Sequence, residues 1–274
     1  MSDPHILNAR ANKSLGQHFL FDPDILNRTA LSAGPVEGRT VIEVGPGPGG
    51  LTAALLRNGA KKVIAVEMDA RFAENLRSWK EYKEGRLSVI EGDGLSLDYP
   101  KLVEGEDKPV KIIANLPYNV GTPMLINWIK SGSWRGEMGL MFQHEVAARV
   151  CAQPGEKHYG RLAVLSQAVA NTHIAFTLPP GAFKPPPKVD SSVAVLMPLP
   201  EDKKYTHLST LEQVTGAAFG QRRKMLRASL KSLAKTKNMD ASEWLESCDI
   251  DPTRRAETLE QFEFRALTEA FRVK

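Results

Sequence analysis

The sequence predicts an α/β fold in which a mostly parallel sheet is followed by a small all-helical C-terminal domain. From residue 40, short β-branched runs alternate with helical stretches, as they do in parallel α/β units. A glycine-rich loop follows the first of these runs, and strand patterns end near Pro200. With 274 residues the chain has the length of about two domains, which we expect at residues 1–199 and 200–274.

Runs rich in valine and isoleucine predict the strands. They cover Thr40–Val44, Lys62–Glu67, Leu87–Glu91, Val110–Ala114 and Gly139–Phe142, and two later strands cover His173–Leu178 and Ser192–Met197. Because the last two follow each other closely, we expect an antiparallel edge there. Crossover helices are predicted at Leu51–Asn58, Ala70–Trp79 and Pro123–Lys130. Five prolines in residues 179–191 argue against a regular element in that segment.

The C-terminal domain is predicted from helical periodicity. Its helices are expected at Leu208–Phe219, Arg222–Ala234, Ala241–Glu246 and Gln261–Phe271. Residues 221–237 contain seven Lys or Arg and no acidic residue. On one continuous helix, an arc of leucines would lie beside a basic stripe formed by Arg223, Arg227, Lys231 and Lys235.

Composition excludes several classes of protein. Apolar residues make up 42% and charged residues 25%, as in ordinary globular proteins, and the formal net charge is +4. No run approaches the ~18 apolar residues of a membrane helix, and no secretory signal is evident, so we expect a cytoplasmic protein. The two cysteines and six histidines are scattered, so we expect no metal site.

The glycine-rich loop and two acidic residues predict a cofactor that contains adenosine. Gly45, Gly47 and Gly50 have GxGxxG spacing between a strand and a helix, which also fits a dinucleotide enzyme. Glu67 ends the second strand about 20 residues later, where a carboxylate can accept from both ribose hydroxyls. Asp93 follows the third strand and can accept from an adenine amino group. Glycine turns and solvated acids are the structural alternatives.

The tetrapeptide Asn115-Leu-Pro-Tyr118 follows the fourth strand. It resembles the motif of methyltransferases that act on exocyclic amines of bases. The Asn115 side-chain oxygen and the Leu116 carbonyl can accept both amine hydrogens, Pro117 stiffens the loop, and Tyr118 can stack on an extruded base. Most of the catalysis would then come from positioning. A simple turn is the alternative.

The chain as a whole, from about Lys13, resembles the KsgA/RsmA family of small-subunit rRNA adenine dimethyltransferases. Matching segments include LGQHFL (15–20), EVGPGPGGLT (43–52), NLPYNVGTP (115–123), AFKPPPKVDSSV (182–193) and AFGQRRKMLRASL (218–230). The resemblance implies a Rossmann-like class I methyltransferase fold with S-adenosylmethionine as donor. The implied acceptors are two adjacent adenosines in the 3′-terminal hairpin loop of 16S rRNA in the 30S subunit. Four methyl groups would be transferred, with a role in small-subunit biogenesis.

Residue by residue, the resemblance assigns two sets of contacts. It implies cofactor contacts for His18, Leu20, Gly45, Glu67, Asp93 and Asn115, although position 18 is commonly Asn in the family. It implies catalytic contacts to the target base for Asn115, Leu116, Pro117, Tyr118 and Phe183. With an RNA substrate, the basic run offers phosphate contacts through Arg222, Arg223, Lys224, Arg227 and Lys231, with a solvated face as the alternative.

Other functions remain open at this point. The motif Asn115–Tyr118 is also compatible with a DNA adenine methyltransferase or with an Erm-type enzyme that modifies 23S rRNA. A third hypothesis is an assembly factor that binds immature small subunits and whose chemistry is secondary. We expect a monomer that binds 16S rRNA within the 30S subunit or its precursor.

Overall fold

The computed structural model describes residues 17–274. Residues 13–16, where the family resemblance begins, lie outside the described residues. A seven-stranded sheet has the order β4-β3-β2-β5-β6-β9-β7. Its strands are β2 (Thr40–Val44), β3 (Lys62–Glu67), β4 (Leu87–Glu91), β5 (Val110–Asn115), β6 (Arg135–Gln143), β7 (Ala170–Leu178) and β9 (Ser191–Pro198). The α/β fold is confirmed.

Strand pairing agrees with the predicted pattern. The pairs β2–β3, β3–β4, β2–β5 and β5–β6 are parallel, whereas β6–β9 is antiparallel. All five residues of β2 are buried, as expected for a central parallel strand that is covered on both faces. In this arrangement β2, β3, β4 and β5 end at one edge of the sheet.

Helices connect most of the strands along the chain. Within residues 17–274, the first eight helices are α1 (Pro23–Ala30), α2 (Gly50–Arg57), α3 (Ala70–Arg77), α4 (Lys80–Lys83), α5 (Tyr99–Leu102), α6 (Gly121–Lys130), α7 (His144–Cys151) and α8 (Arg161–Gln167). The start of α1 shows why these residues form a helix: the Asp22 carboxylate accepts from the backbone N–H groups of Asp24 and Ile25, and Pro23 occupies the first helical position.

A short two-stranded sheet corrects one prediction. Strand β1 (Phe19–Leu20) pairs antiparallel with β8 (Phe183–Lys184), which lies in the proline-rich segment where no regular element was expected. Residues 181–184 contain no proline, so Phe183 and Lys184 keep the backbone N–H groups that pairing needs. The pairing places Leu20 opposite Phe183 and fixes the segment that precedes α1.

The described residues divide into two compact units. One comprises the residues up to Ala147 together with His173–Pro198, and the other comprises Ala148–Thr172 and Leu199–Lys274. Residues 148–172 therefore group with the C-terminal helices, although the predicted domain boundary near residue 200 assigned them to the first domain. Within the second unit, the Tyr159 hydroxyl donates to the Leu259 carbonyl (2.9 Å). This contact shows how the earlier segment joins the later helices.

The basic segment is broken into shorter elements, so the prediction of one helix over Arg222–Ala234 is wrong. The last five helices are α9 (Leu208–Gly220), α10 (Leu226–Ser229), α11 (Lys231–Lys235), α12 (Ala241–Glu246) and α13 (Gln261–Val273). The physical reason lies in the backbone. The N–H groups of Leu226 and Arg227 donate to the carbonyls of Arg254 and Pro252 rather than to a preceding helical turn.

The loop between β2 and α2 depends on glycine at position 49. Gly49 has φ +95°, and a Cβ built there would lie 2.6 Å from the Trp79 ring. A side chain would therefore meet both an unfavourable backbone conformation and a direct clash. The close approach holds the loop against α3 and its neighbours.

We predict that Gly49→Ala lowers the free energy of unfolding by about 2–4 kcal/mol, because backbone strain and overpacking add. Gly85→Ala is the matched control, since Gly85 also has positive φ but has no atom within 4 Å of a built Cβ. It should lose about 1 kcal/mol. Urea unfolding of both variants measures this difference, and equal losses would contradict the role of the Trp79 contact.

Candidate active site

A cleft lies at the sheet edge where the parallel strands end. It encloses about 1110 Å³ of empty space, its open mouth included, which is sufficient for a nucleoside with a further substituent. The walls come from residues 17–20 and from the loops that follow β2, β3, β4 and β5. Ligands of α/β sheets bind at this position because the connecting loops converge there.

Glu67 links the loops after β2 and β3. Its Oε2 accepts from the Gly47 backbone N–H (2.9 Å), and its Oε1 accepts from the Asp69 N–H (2.8 Å). The carboxylate is 4% exposed, and burial raises its pKa, whereas the backbone donors lower it. The carboxylate has about four lone-pair sites, so it keeps acceptor capacity for a ligand beside these backbone donors. Glu67 therefore both shapes the glycine loop and presents an acceptor to the cleft.

Glu43 is a second buried acid in the cleft wall, and the sequence analysis gave it no role. It is 1% exposed, and its Oε2 accepts from the Thr52 hydroxyl (2.6 Å). Burial raises its pKa to about 8, and the nearby Glu67 adds to that rise. The available sequence signal was an acidic residue inside an otherwise apolar strand.

Asp93 lies in the loop after β4, where it is exposed and lines the cleft. Its Oδ1 accepts from the Leu95 backbone N–H (2.9 Å), and its carbonyl accepts from the Ser96 hydroxyl (2.9 Å). These local bonds hold the loop in one shape. The carboxylate is thus presented at the same edge as Glu67.

The corner at residues 115–118 begins at the last residue of β5. The Asn115 side-chain N–H donates to the His18 carbonyl (3.0 Å), which fixes the amide orientation and leaves Oδ1 as an acceptor. The Pro117 carbonyl accepts from Val120 and Gly121, which begins α6. The Tyr118 hydroxyl is 2.5 Å from the Ser191 Oγ, and burial raises its pKa.

Most of the residues predicted to form the site meet in this cleft. The walls include His18, Leu20, Gly45, Glu67, Asp93, Asn115, Leu116, Pro117 and Tyr118. The His18 imidazole lies 5.3 Å from the Tyr118 ring, centroid to centroid, and its Nδ1 is 2.8 Å from the Pro185 carbonyl. That ring is directed towards Tyr118 and the proline-rich segment.

The structure does not bring Phe183 into the cleft. Its side chain is 1% exposed and packs in the hydrophobic core of the sheet unit, opposite Leu20. The family resemblance implied instead that Phe183 contacts the target base. In this structure it is a core residue, because the β1–β8 pairing turns its ring inward.

The basic residues belong to the second unit and differ in their contacts. Arg223, Lys224, Arg227 and Lys231 are exposed. In contrast, the Arg222 guanidinium donates to the Glu257 carboxylate (3.0 Å) and to the Lys157 carbonyl (2.6 Å). Arg222 is therefore partly engaged within its own unit.

Among residues 17–274, no group of three or more His, Cys, Asp or Glu residues could hold a metal ion. None of the helices in that range combines the length and apolar character needed to cross a membrane.

Comparison with known proteins gives consistent results. Residues 8–267 match the model of the family described as ribosomal RNA adenine dimethylase. Proteins named ribosomal RNA small subunit methyltransferase A from Agrobacterium fabrum and Gluconobacter oxydans are 54% and 51% identical. Each alignment covers 94% of this chain, with 91% and 82% of the relatives, respectively.

Solved structures agree with this result. A dimethyladenosine transferase from Plasmodium falciparum has a TM-score of 0.78 at 27% identity, covering 93% of this chain and 98% of that one. The 23S rRNA methyltransferase ErmE has a TM-score of 0.69 at 22% identity, covering 93% and 99%. The second likeness concerns the fold alone.

The buried Glu43 predicts a pH-dependent stability. An unfolded glutamate ionises near pH 4.3, whereas folded Glu43 ionises near pH 8. Between these values the unfolded state releases a proton that the folded state retains. The contribution of Glu43 to the free energy of unfolding therefore decreases as pH rises. Glu43→Gln keeps an acceptor for Thr52 and removes the titration. We therefore expect its melting temperature, relative to the native protein, to rise steadily from pH 5 to pH 8.

Thermal unfolding measured at several pH values in that range tests this. The exposed Glu104→Gln is the control and should show a constant difference. A constant difference for Glu43→Gln as well would show that Glu43 is already ionised at pH 5.

Proposed function

Because the chain belongs to the ribosomal RNA adenine dimethylase family, whose enzymes use S-adenosylmethionine, we propose that it methylates the N6 amines of two adjacent adenosines. The proposed acceptors lie in the 3′-terminal hairpin loop of 16S rRNA, within the 30S subunit or its precursor. Four methyl groups are transferred in all. We further propose that the protein acts as a monomer in the cytoplasm and takes part in small-subunit biogenesis.

The observation that carries the proposal is the position of Asn115. Its amide lies at the end of β5, at the same sheet edge as the acids Glu67 and Asp93. An enzyme that transfers hydride has no need of an amide acceptor and an aromatic ring in this corner. A methyltransferase that acts on a base amine needs both, next to the donor.

The cleft fits S-adenosylmethionine by the chemistry of its walls. Glu67 has lone pairs for ribose hydroxyls, and Asp93 is an exposed acceptor for an adenine amine. Gly45 has φ +71° and no side chain, so its backbone is open to a ligand beside Pro117. We propose His18, Leu20, Gly45, Glu67, Asp93 and Asn115 as the residues that hold it. When bound, this cofactor supplies an electrophilic methyl group.

The chain's own residues orient the acceptor amine. The Asn115 Oδ1 and the Leu116 carbonyl accept its two hydrogens, so that the nitrogen lone pair faces the donor. The His18 carbonyl keeps the Asn115 amide from rotating, since it holds the side-chain N–H. A general base is unnecessary because the nitrogen becomes acidic after the methyl group has been added, and the proton can then pass to water. Catalysis rests on positioning in this account.

Tyr118 is the proposed stacking residue for the extruded base. It lies in the cleft wall, whereas Phe183 is buried in the core. Phe183 could reach the base only if its ring left the core, at a cost of several kcal/mol for an aromatic residue. We therefore propose Asn115, Leu116, Pro117 and Tyr118 as the catalytic set. We propose that Phe183 supports the site from the core, where it lies opposite Leu20 in the β1–β8 pair.

The exposed bases of the second unit are proposed to bind the RNA backbone. Arg223, Lys224, Arg227 and Lys231 face solvent in a segment without acids, and can contact phosphates without reading sequence. Arg222 contributes less in this account, because Glu257 already neutralises part of its charge.

We predict that Asn115→Ala lowers kcat for methyl transfer to unmethylated 30S subunits about 10²–10³-fold, as loss of one aligned hydrogen-bonding group does elsewhere. Asn115→Asp keeps an acceptor oxygen but loses the N–H that the His18 carbonyl accepts, so it should lose activity as well. Asn127→Ala, an exposed asparagine of the same unit, is the control. Tritiated-methyl transfer to 30S, 50S and duplex DNA measures both rate and substrate. Full activity of Asn115→Ala would refute its role, and transfer to 50S or DNA instead of 30S would refute the substrate.

A double charge reversal tests the RNA surface. Arg223→Glu with Arg227→Glu should weaken binding to 30S subunits and reduce the slope of log K against log salt by about 2, since each phosphate contact contributes roughly one unit. Lys83→Glu with Lys101→Glu makes the same change in net charge on exposed residues of the other unit. Equal slopes for the two double variants would contradict the proposed surface.

A further inference from the structure

Two contacts from separate segments hold the Tyr118 ring. Its hydroxyl is 2.5 Å from the Ser191 Oγ, and its face is stacked with the His18 imidazole at 5.3 Å and an interplanar angle of 26°. The first contact fixes the end of the ring, and the second covers one of its faces. Together they restrict both the tilt and the rotation of the ring.

The Ser191 hydroxyl is itself rigidly placed. Ser191 is the first residue of β9, pairs with Gln143 of β6, and is fully buried. The adjacent Asp190 carbonyl accepts from the His144 backbone N–H (2.9 Å). Ser191 does not line the cleft. A buried hydroxyl in this setting can reach a ligand only through Tyr118.

His18 is held at three points. Its Nδ1 is 2.8 Å from the Pro185 carbonyl, its own carbonyl accepts from the Asn115 amide, and Phe19 begins the β1–β8 pairing. One residue therefore touches both Asn115 and Tyr118. With the imidazole on one face of Tyr118, a base can stack on the opposite face.

We propose that Ser191 and His18 are positioning residues that set the Tyr118 ring for the target base. The inference rests on the proposed function, because it takes Tyr118 as the stacking residue. It accounts for Ser191 at the end of the proline-rich segment, because the Ser191 hydroxyl fixes the Tyr118 ring on a different loop. It also gives the His18 imidazole a role on the base side of the site, beyond its backbone contact to Asn115.

A double-mutant cycle tests Ser191. Ser191→Ala and Tyr118→Phe each remove the same hydrogen bond, so each should lower kcat/KM for 30S subunits about 3- to 10-fold. The double variant should lose no more than either single variant. Ser192→Ala is the matched control: Ser192 is equally buried but contacts His144 (2.9 Å) and Thr177 (2.8 Å) instead. Its effect should add to that of Tyr118→Phe.

His18 is tested by two substitutions. His18→Ala removes the stacked ring and should raise KM for 30S subunits about 3- to 10-fold, whereas His18→Phe keeps a ring and should restore most of that loss. Binding of S-adenosylhomocysteine, measured by calorimetry, should change less than 2-fold in Ser191→Ala. Additive losses in the Ser191/Tyr118 cycle, unchanged activity of Ser191→Ala, or His18→Phe no better than His18→Ala would overturn the proposal.

An NMR measurement keeps this proposal separate from the proposed function, because it needs no RNA. In protein labelled with ¹³C in the tyrosine rings, the Tyr118 signals are assigned by their absence from Tyr118→Phe. We expect ring flipping at Tyr118 to accelerate at least about 10-fold in Ser191→Ala and to stay unchanged in Ser192→Ala. An unchanged flip rate in Ser191→Ala would overturn the positioning role even if the native enzyme methylated 30S subunits.

Discussion

The structure depends on one constraint: neighbouring parallel strands end at a common edge of the sheet. Because β2, β3, β4 and β5 run in the same direction, residues far apart in sequence meet there. Glu67 makes this edge rigid, since its buried carboxylate accepts backbone N–H groups from Gly47 and Asp69. The same carboxylate faces the cleft. Loop shape and the proposed ligand binding therefore both involve this one side chain.

The corner after β5 is built on this edge and is held by two segments that are distant in sequence. The His18 carbonyl fixes the Asn115 amide, and the Ser191 hydroxyl meets Tyr118. These partners lie before the first helix and at the start of β9, more than 60 residues from the corner in either direction. The two-stranded β1–β8 sheet connects their segments. A motif of four residues is thus positioned by two distant parts of the chain.

Sequence reasoning located most of this arrangement and failed where contacts are not local. Periodicity located the central strands, and Lys62–Glu67 agrees residue for residue. The glycine spacing and the position of Glu67 after the next strand predicted a shared cofactor site, and Gly45 and Glu67 do line one cleft. The pattern did not reveal that Phe183 turns into the core, because that depends on pairing with Leu20. Nor did it reveal the break before Leu226, where the backbone bonds to a loop almost 30 residues later.

The most direct test of the whole account maps the methyl groups on the RNA. Purified protein is incubated with S-adenosylmethionine and 30S subunits from a strain that lacks this modification, and the 3′ fragment of 16S rRNA is analysed by mass spectrometry. The account predicts two adjacent N6,N6-dimethyladenosines in the hairpin loop and no other new modification. Methyl groups at a different position, on ring nitrogens, or absent altogether would contradict it.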